Sequence, residues 1–153
     1  MRLRFFAAIF LATILCGFLL LASDTKKGVA KFEIQLLWGT DLATSPDEKH
    51  KPVDPDVDKF LKSLPLKFEN YFLVNRKTVE VAVEGTKKEQ ISEKCAVEIK
   101  NRGDSKFELS LFGKSRDQVE KRPVRIPRGQ IVAPWGGNAP GSNAWLVVLK
   151  RIE

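Results

Sequence analysis

Apolar residues recur at every second position through much of this chain, and that alternation restricts it to a fold built from sheets. Phe32, Ile34 and Leu36 alternate with Glu33 and Gln35, Val79, Val81 and Val83 stand at period two, and Phe107, Leu109 and Leu111 share one face of a later stretch. Successive side chains of a strand point to opposite sides, so each stretch offers one apolar face to a core and one polar face to water. Strands are expected at 31–38, 71–84, 90–95, 96–101, 106–113, 119–126, 131–133 and 145–152. The turn Asn101-Arg102-Gly103-Asp104 makes 95–113 the clearest hairpin. Pro123 and Pro127 mark 119–126 as an edge or irregular strand.

One helix is expected, over about residues 54–64. Asp54 suits the N-cap and Pro55 the first helical position. Val57, Phe60, Leu61 and Leu64 fall at helical spacing, and Pro65 stops the run. The stretches 39–53 and 136–143 read as loops, being rich in Pro, Gly, Asp, Ser and Asn without apolar periodicity. Together these elements predict a mainly β fold, an antiparallel β-sandwich or small barrel with one short helix packed on it. One face of each sheet is expected to be buried and the other wet, with the first and last strands close together because both are the most continuously apolar.

The N-terminus has a different grammar. Arg2 and Arg4 precede 18 uncharged residues, 5–22, and Asp24, Lys26 and Lys27 end the run. A basic start, an apolar stretch and small residues at Ala22 and Ser23 describe an export signal, and the stretch is also long enough to touch the lower limit of a membrane span. Residues 1–23 are therefore expected to be a signal peptide or an N-terminal anchor helix, with membrane contact through residues 5–22 if retained. Either way the single domain 24–153 lies outside the cytoplasm, secreted, periplasmic or held at the cell envelope. Leu15 directly before Cys16 argues against lipid attachment at that cysteine.

Removing residues 1–23 leaves 130 of the 153 residues, enough for one core. Those residues carry 24 Lys+Arg against 19 Asp+Glu, a net charge of +5. That balance suits a soluble basic surface or attraction to an anionic partner, such as an acidic glycan or an envelope component. No run of Lys or Arg forms a nucleic-acid arm, and no nucleic acid is expected as a partner. Cys95 is the one cysteine of this part, so no internal disulfide can form; its alternation with Val97 and Ile99 places it on a buried strand face as an inert thiol. With His50 as the lone histidine, no zinc set can be assembled, and no other cofactor is indicated.

Several motifs read better as structure than as chemistry. Asp54-Pro55-Asp56-Val57-Asp58 opens like a calcium loop, but the sixth and twelfth positions are Lys59 and Pro65 where Gly and Glu are required. Three carboxylates there complement the dipole of a helix start. Arg102-Gly103-Asp104 is an adhesion tripeptide by spelling and ordinary turn chemistry by context. The 136–143 loop lacks the Lys-Ser/Thr ending of a phosphate cradle. Catalysis lacks a second histidine or an activated nucleophile, and His50 is expected to be exposed in its charged loop.

These features predict a non-enzymatic secreted or envelope β-domain with a binding or structural role. The alternative is a small extracytoplasmic hydrolase using paired carboxylates, for example on glycans. If a ligand site exists, Trp135 and Trp145 beside the glycine-rich loop could stack on sugar rings, with Arg122, Arg125 and Arg128 supplying bidentate contacts to an anionic glycan. That site requires all five side chains on one surface. No catalytic residues are assigned.

Overall fold

The computed structural model describes residues 28–114 and 118–153. The expected leader, 1–23, lies outside the described residues, and among those described no helix is long and apolar enough to cross a membrane. The described residues are mainly β, with two antiparallel sheets and one short helix. In order, the elements are β1 (Ala30–Thr40), β2 (Lys51–Pro52), α1 (Pro55–Ser63), β3 (Asn70–Val81), β4 (Thr86–Ser92), β5 (Cys95–Asn101), β6 (Lys106–Phe112), β7 (Gln118–Arg125), β8 (Ile131–Ala139) and β9 (Asn143–Arg151). One sheet has the order β2-β3-β1-β9-β8 and the other β4-β5-β6-β7. The first and last long strands pair along their length, Phe32 opposite Arg151 through Gly39 opposite Ala144.

The two sheets meet across one apolar layer. Phe32, Ile34, Leu36, Val147 and Leu149 from the five-stranded sheet pack with Val97, Ile99, Phe107 and Leu109 from the four-stranded sheet. A second cluster lies on the far side of the five-stranded sheet, where Val57 and Leu61 of α1 cover Leu37, Leu146 and Val148. The expectation of one wet face per sheet therefore needs correction for the larger sheet. Its central strands β1 and β9 are buried on both sides, inward by the second sheet and outward by the helix, which is why their sequences are so continuously apolar.

The helix starts and stops where its residues dictate, with Pro55 at the first position and Leu64 extended before Pro65. Asp54 sits at the N-cap, but its carboxylate makes no cap bond; it accepts from the Arg76 guanidinium of β3 at 2.6 Å instead. Asp56, in the first turn, accepts from Lys150 of β9. These two pairs tie the start of α1 to the sheet beneath it. The Lys150 ammonium holds the Asp56 carboxyl below the ordinary aspartate value, and Asp56 in turn raises Lys150. Asp56 therefore contributes stability that is present above the ordinary aspartate value and lost as the pH falls through its depressed folded value; Lys150 contributes below the ordinary lysine value and loses it as the pH rises through its elevated one. Because the pair is largely exposed, Asp56→Asn is expected to cost less than about 1 kcal/mol at neutral pH. Urea unfolding at neutral and strongly acidic pH checks this: the difference between variant and parent should vanish in acid.

The connection leading into β9 also departs from expectation. The stretch 136–143 is not a long loop, because β8 continues through Gly136 and Gly137 to Ala139 and pairs with β9 as far as Asn143. Only Pro140, Gly141 and Ser142 turn the chain. Gly137 lies opposite Trp145, and a β-carbon there would come within 2.8–2.9 Å of the indole, so glycine is what lets the ring lie over the neighbouring strand. Lys51–Pro52, inside the expected 39–53 loop, forms a two-residue strand on β3.

Candidate functional site

At one end the two sheets do not close. Trp38 near the end of β1 is the pairing partner of Trp145 at the start of β9, so their indoles sit on adjacent strands. Across from them, β5 begins at Cys95 and β6 ends at Phe112, just before Gly113. Large rings on one wall thus oppose a small thiol and a strand end on the other, and the apolar layer is left unfilled. The result is a cleft of about 520 Å³ that also reaches Leu36, Val74, Leu111 and the Pro140 turn. Its size falls within the range of small-molecule sites, and its walls are mostly apolar. A smaller depression of about 360 Å³ lies between Leu64, Leu66 and Phe68 on one side and Gly136 and Leu146 on the other.

Few polar groups reach the larger cleft. His50 is one, and its position corrects the expectation of an exposed residue, since its side chain is only 12 % exposed. The 41–50 loop folds back so that the imidazole lies 6.4 Å from the Trp38 ring, and Ser45 Oγ is 2.7 Å from His50 Nδ1. Ser45 Oγ also accepts the Asp47 backbone N–H at 3.3 Å. The Trp38 indole N–H is buried and has no hydrogen-bond partner. Ser92, Lys94 and Asn138 complete the polar part of the rim. Cys95 forms part of the wall, half-buried and without a disulfide, and burial pushes its thiol above the ordinary cysteine value, which keeps it protonated and unreactive near neutrality.

The residues singled out in the sequence are distributed differently. Trp145 lines the cleft, whereas Trp135 is 4 % exposed and packed in the inter-sheet core, with no ring face left for stacking. The β7 strand passes through Pro123 without a break, so Arg122 and Arg125 point to opposite faces of an edge strand. Arg122 is engaged with Glu120, and Arg128 lies in the turn between β7 and β8. The five side chains therefore do not form one exposed surface. Arg102-Gly103-Asp104 occupies the β5–β6 turn with both Gly103 and Asp104 at positive φ, and Arg102 pairs with Glu108 at 3.4 Å. Asn101 anchors that turn by donating to the Val81 and Gly28 carbonyls.

Among the described residues no acidic side chain lines the cleft, and the carboxyls whose titration is displaced, Asp56 and Glu108, are both lowered by neighbouring cations, Lys150 and Lys121 foremost. Among the described residues no cluster of three His, Cys, Asp or Glu side chains could hold a metal ion. Trp38, His50 and the adjacent pair Lys94-Cys95 come from three distant parts of the sequence, and their convergence had only one local signal, a tryptophan at a strand end before a loop. Comparison with family models, with curated proteins and with solved structures finds no match to this chain.

Proposed function

We propose that the chain is an extracytoplasmic, non-enzymatic binding domain, a β-sandwich that holds a small apolar ligand in the cleft between its sheets at the Trp38–Trp145 end. One observation carries this reading: a 520 Å³ apolar cleft that the surrounding side chains leave unfilled. Natural cores are packed with few voids larger than a water molecule, so an opening of this size with two indoles beside it is a feature that packing alone does not explain. The charge pattern of residues 1–24 supports placement outside the cytoplasm. A hydrolase using paired carboxylates would need acidic groups in its cleft wall, and the described residues of this wall supply none.

Binding of a neutral fluorescent probe, N-phenyl-1-naphthylamine, tests the reading. One-to-one binding is expected, with quenching of tryptophan emission in the occupied protein. Ala139→Trp, which places a ring into the cleft from its rim, should weaken probe binding by about tenfold or more. Ala139→Ser should not. Absence of binding to the parent protein, or undiminished binding to a stably folded Ala139→Trp variant, would sink the proposal.

A further inference from the structure

Two polar groups of the cleft, Trp38 and Lys94, can only donate a hydrogen bond. The Trp38 indole can only donate, and its N–H is buried without a partner. Lys94 can only donate, and its ammonium is exposed at the rim on the β4–β5 turn. Ser45 Oγ accepts the Asp47 N–H and lies 2.7 Å from His50 Nδ1. Ser92 Oγ accepts the Lys94 backbone N–H and retains its hydroxyl hydrogen to donate. Among the described residues no carboxylate lines the cleft, and the Asp47 carboxylate beside His50 lies 4.0 Å from its Nε2, beyond hydrogen-bond distance.

Donors that find no acceptor inside the protein call for one on the ligand, because an unpaired buried donor is costly. An acceptor-only anion satisfies more of them than a hydroxyl or an ammonium could, and Lys94 adds the matching charge. Resting on the cleft reading above, we propose that the ligand class is an amphiphile with an anionic head, of the long-chain carboxylate type. Its chain lies between the sheets against Trp145, Leu36 and Leu111, and its carboxylate meets the donors of Trp38 and Lys94 at the rim.

Three probes of matched chain length separate this inference from the reading beneath it: dodecanoate, dodecanol and dodecylammonium, each competing with N-phenyl-1-naphthylamine below its micelle concentration. Dodecanoate is expected to displace the dye at about tenfold lower concentration than the other two. Lys94→Glu should abolish that advantage and leave dodecanol displacement unchanged. Trp38→Phe, which keeps an aromatic ring and removes the N–H, should reduce the dodecanoate advantage by about threefold to tenfold. Equal displacement by dodecanoate and dodecanol in the parent protein, or an advantage that survives Lys94→Glu, would overturn the anionic-head inference while leaving the apolar cleft intact. Displacement by none of the three would remove the cleft reading as well.

Discussion

Phe107→Ala is expected to remove about 3–5 kcal/mol of folding stability, the cost of deleting a large buried ring. Phe107 is 2 % exposed and meets Phe32 edge to face, with ring centroids 4.8 Å apart and planes at 88°. Phe32 belongs to β1 and Phe107 to β6, so this contact joins the middle of one sheet to the middle of the other. The Arg151 guanidinium lies 5.3 Å from the same ring and is held there by Ser105 Oγ and the Ile126 carbonyl, each at 2.8 Å. Little room exists for neighbours to collapse into the cavity, because the surrounding Ile99, Leu109 and Leu149 are themselves fully buried. Domains of this size have total stabilities of about 5–15 kcal/mol, so the loss would bring the variant near the edge of folding. Urea denaturation followed by circular dichroism should show a lower midpoint at unchanged slope. A loss below about 1 kcal/mol would mean that the sheets are not held together through this layer.

Most of the fold could be read from periodicity, for a physical reason. Strands such as β5 and β6 are buried on one side, so Val97, Ile99, Phe107 and Leu109 mark the core face at every second position. The hairpin between them announces itself in Asn101 and Gly103, and the helix in Pro55 and Pro65. Where the pattern misled, a long-range partner was responsible. The glycines at 136 and 137 look like loop residues locally, and only the indole of Trp145 on the opposite strand explains why they sit in β8. Asp54 has the chemistry of an N-cap, but Arg76, 22 positions away, competes for its carboxylate and wins.

The cleft was far less legible. Its walls come from Leu36, Trp38, Val74, Cys95, Leu111 and Trp145, each of which reads as an ordinary core residue in its own strand. An unfilled space is a property of how opposing side-chain volumes add, and no single strand records that sum. His50 shows the same limit. Its neighbours in DEKHKP are charged, so a local reading puts it in water, whereas the returning loop lays it beside Trp38. The arginines needed an irregular segment to share a face, and the regular alternation of β7 sets Arg122 and Arg125 on opposite ones.

Leu61→Ala tests the third layer of the molecule and is expected to cost about 2–5 kcal/mol. The helix has nine residues, and isolated helices shorter than about 12–15 residues are marginal in water. No side-chain cap supports its first turn. Its persistence therefore depends on docking, through Val57 and Leu61, which are fully buried against Leu37, Leu146 and Val148. Those partners belong to β1 and β9, the two central strands, so loosening the helix uncovers the back of the pair on which both sheets rely. The neighbouring Lys62→Ala provides the contrast. It removes only the exposed pair with Asp58, at 2.7 Å, and should cost about 0.5 kcal/mol or less. Similar costs for the two substitutions would show that α1 is a surface ornament and that the outer face of the larger sheet is stable uncovered. The helix and the cleft also lie on opposite sides of β1 and β9, so Leu61→Ala, studied where it remains folded, should bind N-phenyl-1-naphthylamine as the parent does. A variant that is less stable yet unchanged in binding would separate what holds this fold together from what its open end is shaped to receive.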